Sequence, residues 1–265
     1  MKLNFFHIDA FAKRFFEGNP AAVCLLEEWL PDEIMQAIAA ELNLSETCFL
    51  VRKSAGEYRI RWFAPRCEIA LCGHATLAAS HMLFNEFDEN HPVLRFACKS
   101  GELRVTKNAL GFSMDFPAQT VEPIAIDPNA VEAFGIMPES MYAGEDLVAL
   151  FDDASQVAIM EPDFGKLAAL PYRGICVAAP DHSAKYDFVN RFFAPKAGIN
   201  EDPVTGSSFT KLAPIIAKKL TKNTFSARQV SPRGGDVQLQ LQGDRLLISG
   251  TAITVMRSVM ILPTH

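Results

Sequence analysis

The chain carries one pattern twice. Arg61-Trp62-Phe63-Ala64-Pro65 is followed by Glu68 and then by Leu71-Cys72-Gly73-His74-Ala75-Thr76-Leu77-Ala78-Ala79. Beginning 130 positions later, Arg191-Phe192-Phe193-Ala194-Pro195 is followed by Glu201-Asp202 and Val204-Thr205-Gly206-Ser207-Ser208, closing on Lys211-Leu212-Ala213-Pro214. Each copy reads as an aromatic strand ending at a proline, an acidic loop, a Gly-containing turn and a helix of small residues. A weaker echo follows each, Ser100 to Thr106 against Arg233 to Leu239. Two copies exclude a solenoid, which needs about three or more stacked repeats. They predict two similar halves whose polar turns converge on one cleft, the expected seat of function.

The 265 residues suffice for two halves, and with 49% apolar and 21% charged residues the composition is that of an ordinary globular protein. A net charge of −6, with no basic stripe in either half, argues against nucleic acid as a partner. No apolar stretch approaches the length of a membrane-spanning helix, so no membrane role is expected. The opening segment, Met1 to Ala10, alternates like a first strand and lacks the apolar run of a signal peptide, which makes cytoplasmic localisation the expectation. The six cysteines, at 24, 48, 67, 72, 98 and 176, form no Cys-x-x-Cys pair and read as reduced. Cys67, Cys72 and His74 match no zinc spacing, so no metal is expected.

Along the chain, Pro31-Asp32-Glu33 starts a helix whose buried face is expected to hold Ile34, Ile38 and Leu42. The Gly73 turn leads into a helix from Ala75 to Phe84. The proline-rich stretch Pro117 to Pro128 divides the chain into halves 1–117 and 118–265, with the final strand free to return to the first half. The second half is expected to carry strands at Asp146 to Phe151 and Ala154 to Met160, and a helix after Gly206 that Pro214 interrupts. Many strands with one principal helix per half predict an α+β fold in which each sheet curls around its own helix.

Four segments in order, Phe16-x-Gly18-Asn19-Pro20-Ala21-x-Val23, Ser45-Glu46-Thr47-x-Phe49, Cys72-Gly73-His74-Ala75-Thr76 and Glu201-Asp202-Pro203-Val204-Thr205-Gly206-Ser207, resemble the PhzF-like family of phenazine-biosynthesis-type isomerases. The resemblance runs nearly the whole length. It implies the diaminopimelate epimerase fold: two pseudosymmetric domains, each a curled, mostly antiparallel sheet around a central helix, with the active site between them. It also implies a homodimer that uses no metal or organic cofactor. The family's reaction moves a proton between carbons of a dihydro-hydroxyanthranilate ring. The glutamate matching Glu46 carries that proton, and the positions of His74, Asp202 and Ser207 assist. The chain departs from the family where Gly-Ser is often followed by a small residue and histidine; here Ser208-Phe209 is expected to put an apolar ring at the lip of the site.

From the residues alone, Glu46 reads first as a carboxylate at a strand end; the resemblance turns the reading to a general acid/base. His74 reads equally as a buried interface histidine or as a donor to an acidic substrate docked at a helix start. Gly73 and Gly206 head their helices and predict two sets of backbone N–H groups presented to one small anionic metabolite. Asp202 is a turn residue or a partner for His74 or a substrate amine. Ser207 reads as a helix cap, a carboxylate ligand, or both. Asn19, with Gly18 and Pro20, shapes a loop beside the site. Cys72 falls where the related epimerases place one of two catalytic thiols, but the second half offers Val204-Thr205-Gly206 and no cysteine, so Cys72 reads as a small buried residue. The leading expectation is a cofactor-independent proton-shift isomerase. An amino-acid epimerase or racemase, and a small-molecule-binding protein without turnover, are the alternatives.

Overall fold

The computed structural model describes residues 1–263, and the chain divides into two compact units: Met1–Asp115 with the segment from Ser249 onward, and Phe116–Ile248. The first unit contains β1 (Lys2–Ala10), β2 (Asn19–Leu26), α1 (Asp32–Leu42), β3 (Glu46–Ser54), β4 (Glu57–Phe63) and the short β5 (Glu68–Ile69). It continues with α2 (Gly73–Glu86), β6 (Val93–Cys98), β7 (Gly101–Asn108) and β8 (Gly111–Pro117). In the second unit, β9 (Glu122–Ile124), α3 (Pro128–Phe134), β10 (Ser140–Ala143), β11 (Leu147–Leu150), α4 (Ala154–Ala158) and α5 (Phe164–Ala169) come first. They are followed by β12 (Ile175–Pro180), β13 (Phe188–Ala194), β14 (Ile199–Asp202), α6 (Gly206–Leu220), β15 (Thr224–Gln229), β16 (Gly235–Gln242) and β17 (Arg245–Gly250). The last strand, β18 (Ala252–Ile261), belongs to the first unit, where it pairs antiparallel with β1, Leu3 opposite Met260.

The repeat in the sequence is a repeat in strand pairing. In the first unit β1–β2 is antiparallel, β2–β3 parallel, β3–β4 antiparallel, β4–β6 parallel and β6–β7 antiparallel. In the second, β10–β11, β11–β12, β12–β13, β13–β15 and β15–β16 alternate in the same way. The acidic loops form small strands in both copies, β5 on the end of β4 and β14 on the end of β13.

The arginine that opens each repeat has the same task in both. Arg61 holds Glu68 through two bonds of 2.8 and 2.9 Å and lies 5.1 Å from the Phe63 ring centre. Arg191 holds Glu201 at 2.7 and 2.8 Å and lies 5.0 Å from Phe193. A guanidinium clamps a carboxylate through two parallel N–H bonds and stacks on an aromatic face, which accounts for an arginine, an aromatic two residues on and a glutamate in the loop. The third amino group differs: Arg61 Nη1 reaches Asp32 at the start of α1, whereas Arg191 Nη1 donates to the carbonyls of Val157 in the last turn of α4 and of Met160 just beyond it.

The core of the first unit packs Met35, Ile38 and Ala39 of α1 against Leu3, Phe5, Phe49 and Phe63, with Phe5–Phe49 and Phe49–Phe63 edge to face. Of the expected buried face of α1, Ile38 is buried and Leu42 packs against this core, but Ile34 is exposed and Met35 and Ala39 fill the stripe instead. Helix α2 is buried nearly all round because Ala75, Ala78, Ala79 and Ser80 are small enough to let it lie against β1, β2 and β3. Phe134, Leu147, Phe151, Val177 and Phe193 fill the core of the second unit.

Three expectations are corrected here. The segment expected as a strand from Ala154 to Met160 is helix α4, set by a capping box: Asp153 Oδ1 accepts from the Ser155 N–H at 2.8 Å, and Gln156 Oε1 accepts from the Asp153 N–H at 3.2 Å. Pro214 does not interrupt α6, which runs on to Leu220. A helical proline leaves the carbonyl four residues earlier without its donor; that carbonyl, Thr210, accepts instead from the Gln119 N–H at 2.9 Å. Phe209 is not at a lip but fully buried, 6.3 Å from the Phe188 ring.

The Arg61 clamp holds the Glu68 carboxyl below its ordinary value of 4.5. A carboxylate depressed in the folded state contributes stability above its unfolded value and loses it as pH falls through the folded one. Glu68→Gln is expected to cost about 1.5–3 kcal/mol near neutral pH, with the deficit shrinking as pH falls below 4.5. Urea unfolding at pH 7 and at acid pH checks this, and a pH-independent deficit would refute the electrostatic origin.

Candidate active site

Two adjacent parallel strands and one helix start at the same end of the first unit. Asn19 begins β2, Glu46 begins β3 opposite Ala21 of β2, and Gly73 begins α2. The turn into Asn19 requires glycine: Gly18 has φ +74°, and a Cβ there would lie 2.2 Å from the Ala10 carbonyl oxygen. These three starts bring Asn19, Glu46, Cys72 and His74 together. His74 Nε2 lies 2.8 Å from Glu46 Oε2, Asn19 Nδ2 lies 3.3 Å from His74 Nδ1, and Cys72 Sγ lies 3.5 Å from His74 Nδ1. Asn19 donates to Nδ1 of the neutral ring, which leaves the ring proton on Nε2, in close contact with the buried Glu46 Oε2.

Both acid–base partners are withdrawn from water: the His74 side chain is 8% exposed and that of Glu46 13%. Burial opposes the charged imidazolium, but the acidic neighbours Cys72 and Glu46 outweigh it and hold His74 well above its ordinary value. Burial and then Glu46 push the Cys72 thiol up, away from the thiolate. At the head of α2, Cys72 is the N-cap residue and makes no side-chain cap; the Thr76 N–H and hydroxyl both reach back to its carbonyl. The first N–H groups of a helix have no partner within it, so the Gly73 end offers them to whatever occupies the space beside Glu46.

Asp202, Gly206 and Ser207 lie in the second unit. Asp202 ends β14, and its Oδ2 accepts from the hydroxyl of Thr205, the N-cap residue of α6. Gln229 braces this turn, taking the Thr205 N–H at 2.9 Å and donating to the Asp202 carbonyl at 2.6 Å, and Asn190 holds Gln229 at 3.1 Å. Ser207 stands at the second position of α6, as His74 does in α2. Its hydroxyl is 3.4 Å from Arg173 Nη2.

Sequence reading missed the charged group behind Ser207. Asp146 is fully buried and accepts from Arg173 Nε and Nη2 at 2.9 and 2.6 Å and from Lys211 Nζ at 2.5 Å. Lys211 is itself buried, while Arg173 is 44% exposed on the side away from Asp146. Asp146 and Arg173 precede β11 and β12, the parallel pair corresponding to β2 and β3, so the two units place polar groups at equivalent strand starts. One signal was present: Lys211 lies four residues after Ser207 among Phe209, Leu212 and Ala213, a lone charge on an apolar helix face.

Among the described residues, Glu46, Cys72 and His74 form a group whose donor atoms lie within 4.8 Å of one another; Cys67, exposed, is not part of it. No helix among the described residues is long and apolar enough to cross a membrane.

The sequence matches the family described as phenazine biosynthesis-like protein over residues 8–258. A Pseudomonas aeruginosa protein named as an uncharacterized isomerase is 47% identical over 260 residues, covering 98% of this chain and 99% of its own. The crystal structure of a PhzF-family phenazine biosynthesis protein from Enterococcus faecalis is similar with a TM-score of 0.96 and 44% identity, covering 99% of this chain and 100% of its own. A hydroxyproline epimerase from Agrobacterium vitis shares the fold alone, with a TM-score of 0.61 at 12% identity over 97% of this chain and 92% of its own.

Removing Asp146 would leave the buried Lys211 ammonium only the exposed Glu145 carboxylate, 4.0 Å away, as a counter-charge. Asp146→Ala is expected to cost about 3–5 kcal/mol, the usual penalty for breaking a buried ion pair from one side. Chemical denaturation measures it, and a loss below about 1 kcal/mol would mean that water reaches Lys211.

Proposed function

This chain belongs to the phenazine biosynthesis-like (PhzF-like) family, and we propose that it is a cofactor-independent isomerase that moves a proton between carbons of a small carboxylated metabolite with Glu46 as general acid and base. The observation that carries this reading is the Glu46–His74 pair, 2.8 Å apart and largely buried beside the uncapped start of α2. In its carboxylate form Glu46 removes a proton from a C–H bond of the substrate. The electron pair left on carbon spreads into an adjacent unsaturated system. The protonated Glu46 then returns the proton to a different carbon, so a C–H bond is broken and another made with no net redox change. His74 Nε2 faces the carboxylate at 2.8 Å, and Asn19 orients the ring through Nδ1. The free N–H groups at Gly73 favour the negative charge that develops when the proton leaves.

In the second unit, Asp202, Gly206 and Ser207 are the proposed substrate-binding groups. Asp202 is suited to an amine and Ser207, with Arg173 next to it, to a carboxylate. The Arg191–Glu201 and Gln229 contacts keep the turn that carries them rigid.

Cys72, in contact with His74, lends some support to a second reading, an amino-acid epimerase. That reaction needs an opposed proton carrier, and the residue corresponding to Cys72 is Thr205, whose hydroxyl is committed to Asp202. Stereoinversion of an amino acid would favour this reading.

Proton NMR in D₂O with dihydro-hydroxyanthranilate and a panel of small cyclic acids and amino acids tests the proposal. Wild type is expected to place deuterium at one carbon of one compound. Glu46→Gln, which keeps volume but carries no proton, should slow that exchange by about 10²–10⁴-fold. Unchanged exchange in the variant would remove Glu46 from the mechanism.

A further inference from the structure

The group at the head of α2 has the composition of a transition-metal site as well as that of an acid–base pair. It contains a thiol, an imidazole and a carboxylate on three separate elements, the turn before α2, α2 itself and the start of β3, with donor atoms within 4.8 Å of one another. We infer that Glu46, Cys72 and His74 bind one Zn²⁺ or similar thiophilic divalent ion, and that the ion acts there as a reversible inhibitor.

The geometry is close to what such an ion needs. Zinc bonds of about 2.0–2.3 Å to oxygen, nitrogen and sulfur at tetrahedral angles put neighbouring donors about 3.4–3.6 Å apart. Glu46 Oε2 is 2.8 Å from His74 Nε2, and Cys72 Sγ is 3.9 Å from the same nitrogen. One spacing is shorter than the tetrahedral edge and the other longer, each by roughly half an ångström, and the third lies within 4.8 Å. Three protein ligands leave a fourth position for water, the open arrangement of reactive rather than structural zinc sites. Asn19 faces Nδ1 with its Nδ2 at 3.3 Å, and once the ring proton sits on Nδ1 the amide must turn over to present Oδ1, the accepting outer partner that a ligating histidine ordinarily has. Cys67 and Cys98 lack such a set: among the described residues only these three side chains gather in this way.

Binding is a proton exchange. Zn–S, Zn–N and Zn–O bonds form while the Cys72 S–H and His74 Nε2–H bonds break. The thiol proton leaves to the buffer, and the ring proton moves to Nδ1 or leaves as well. No oxidant or reductant takes part. An occupied trio has no carboxylate free to accept a substrate proton, so the inhibition, but not the binding, rests on the catalytic reading given above.

Purified protein, treated with chelator and desalted, is titrated with Co²⁺ alone and then with Zn²⁺. One equivalent of Co²⁺ is expected to produce a cobalt–thiolate charge-transfer band, which one equivalent of Zn²⁺ abolishes, with proton release that scales with buffer ionisation in calorimetry. Cys72→Ser, a volume-conserving change at a position where serine is a favoured helix cap, should eliminate the band. Asn19→Ala should weaken binding by about 10–100-fold, as the loss of an outer partner does. Circular dichroism confirms that both variants are folded. No stoichiometric band in wild type, or a band undiminished in Cys72→Ser, would overturn the inference, the latter by placing the metal on another cysteine. In the exchange assay, Zn²⁺ should silence turnover and chelator restore it. Metal binding without inhibition would count against the catalytic role of Glu46 while leaving the site in place.

Discussion

Parallel neighbours in a sheet set the terms for everything else in this chain. Antiparallel strands can be joined by a two-residue turn, but parallel ones need a crossover of about a dozen residues, usually containing a helix. Each unit has two parallel joins within an otherwise antiparallel sheet. Helix α1 supplies the crossover from β2 to β3, and α2 that from β4 to β6; α4 with α5, and then α6, do the same in the second unit. A parallel pair also aligns strand starts. The residues that begin β2 and β3 therefore lie at one end of the sheet, and the chain re-enters that end at the head of α2. Chemistry collects there because the topology leaves three element starts side by side, each with backbone or side-chain groups that regular structure does not use.

The two units fill this common frame differently. In the first, the strand starts and helix head carry an amide, a carboxylate, an imidazole and a thiol, a set in which one proton can move among several atoms. In the second, the corresponding places carry Asp146, Arg173 and Ser207, with Lys211 beneath. Arginine keeps its proton at any accessible pH, and the buried Asp146 carboxylate is bonded to both Arg173 and Lys211. One frame thus holds a labile proton and the other fixed charge, a division suited to a reaction that needs a mobile acid–base and a steady hold on an anion.

Much of the frame was legible in the sequence because it rests on local chemistry. Arg61 and Arg191, the aromatics two residues on, and Glu68 and Glu201 form the same clamp in both units, and a clamp that must be rebuilt leaves the same letters. Gly18 was legible because a positive φ restricts which residue serves, whereas Asn19, Glu46 and His74 drew notice through the motifs that carry the family resemblance, since each alone reads as readily as an ordinary loop, strand-end or buried residue. What was not legible depended on distant partners. Nothing near Pro214 announces that Gln119 takes the carbonyl it leaves unpaired. The apolar run of α4 reads as a strand until Asp153 and Gln156 are seen as a reciprocal cap. Phe209 looked like a change at a rim because its neighbours in sequence are site residues, whereas on a helix successive positions point in different directions and this one points into the core.

The same helical geometry explains why proton chemistry should centre on Glu46 and His74 rather than on a pair of thiols. Cys72 and Thr205 occupy equivalent N-cap positions, so a two-thiol mechanism would need cysteine at both. Thr205 instead spends its hydroxyl on Asp202 and its N–H on Gln229, which makes that turn rigid and leaves it no labile proton to offer a carbon. Cys72 is left without a counterpart, and burial followed by the Glu46 charge pushes its thiol away from the thiolate that would be the reactive form. Burial opposes a charge on His74, and its acidic neighbours, Cys72 and then Glu46, raise it. With Thr205 committed and Cys72 lacking a counterpart, the proposed proton shift by one carboxylate fits these residues better than an exchange between two thiols.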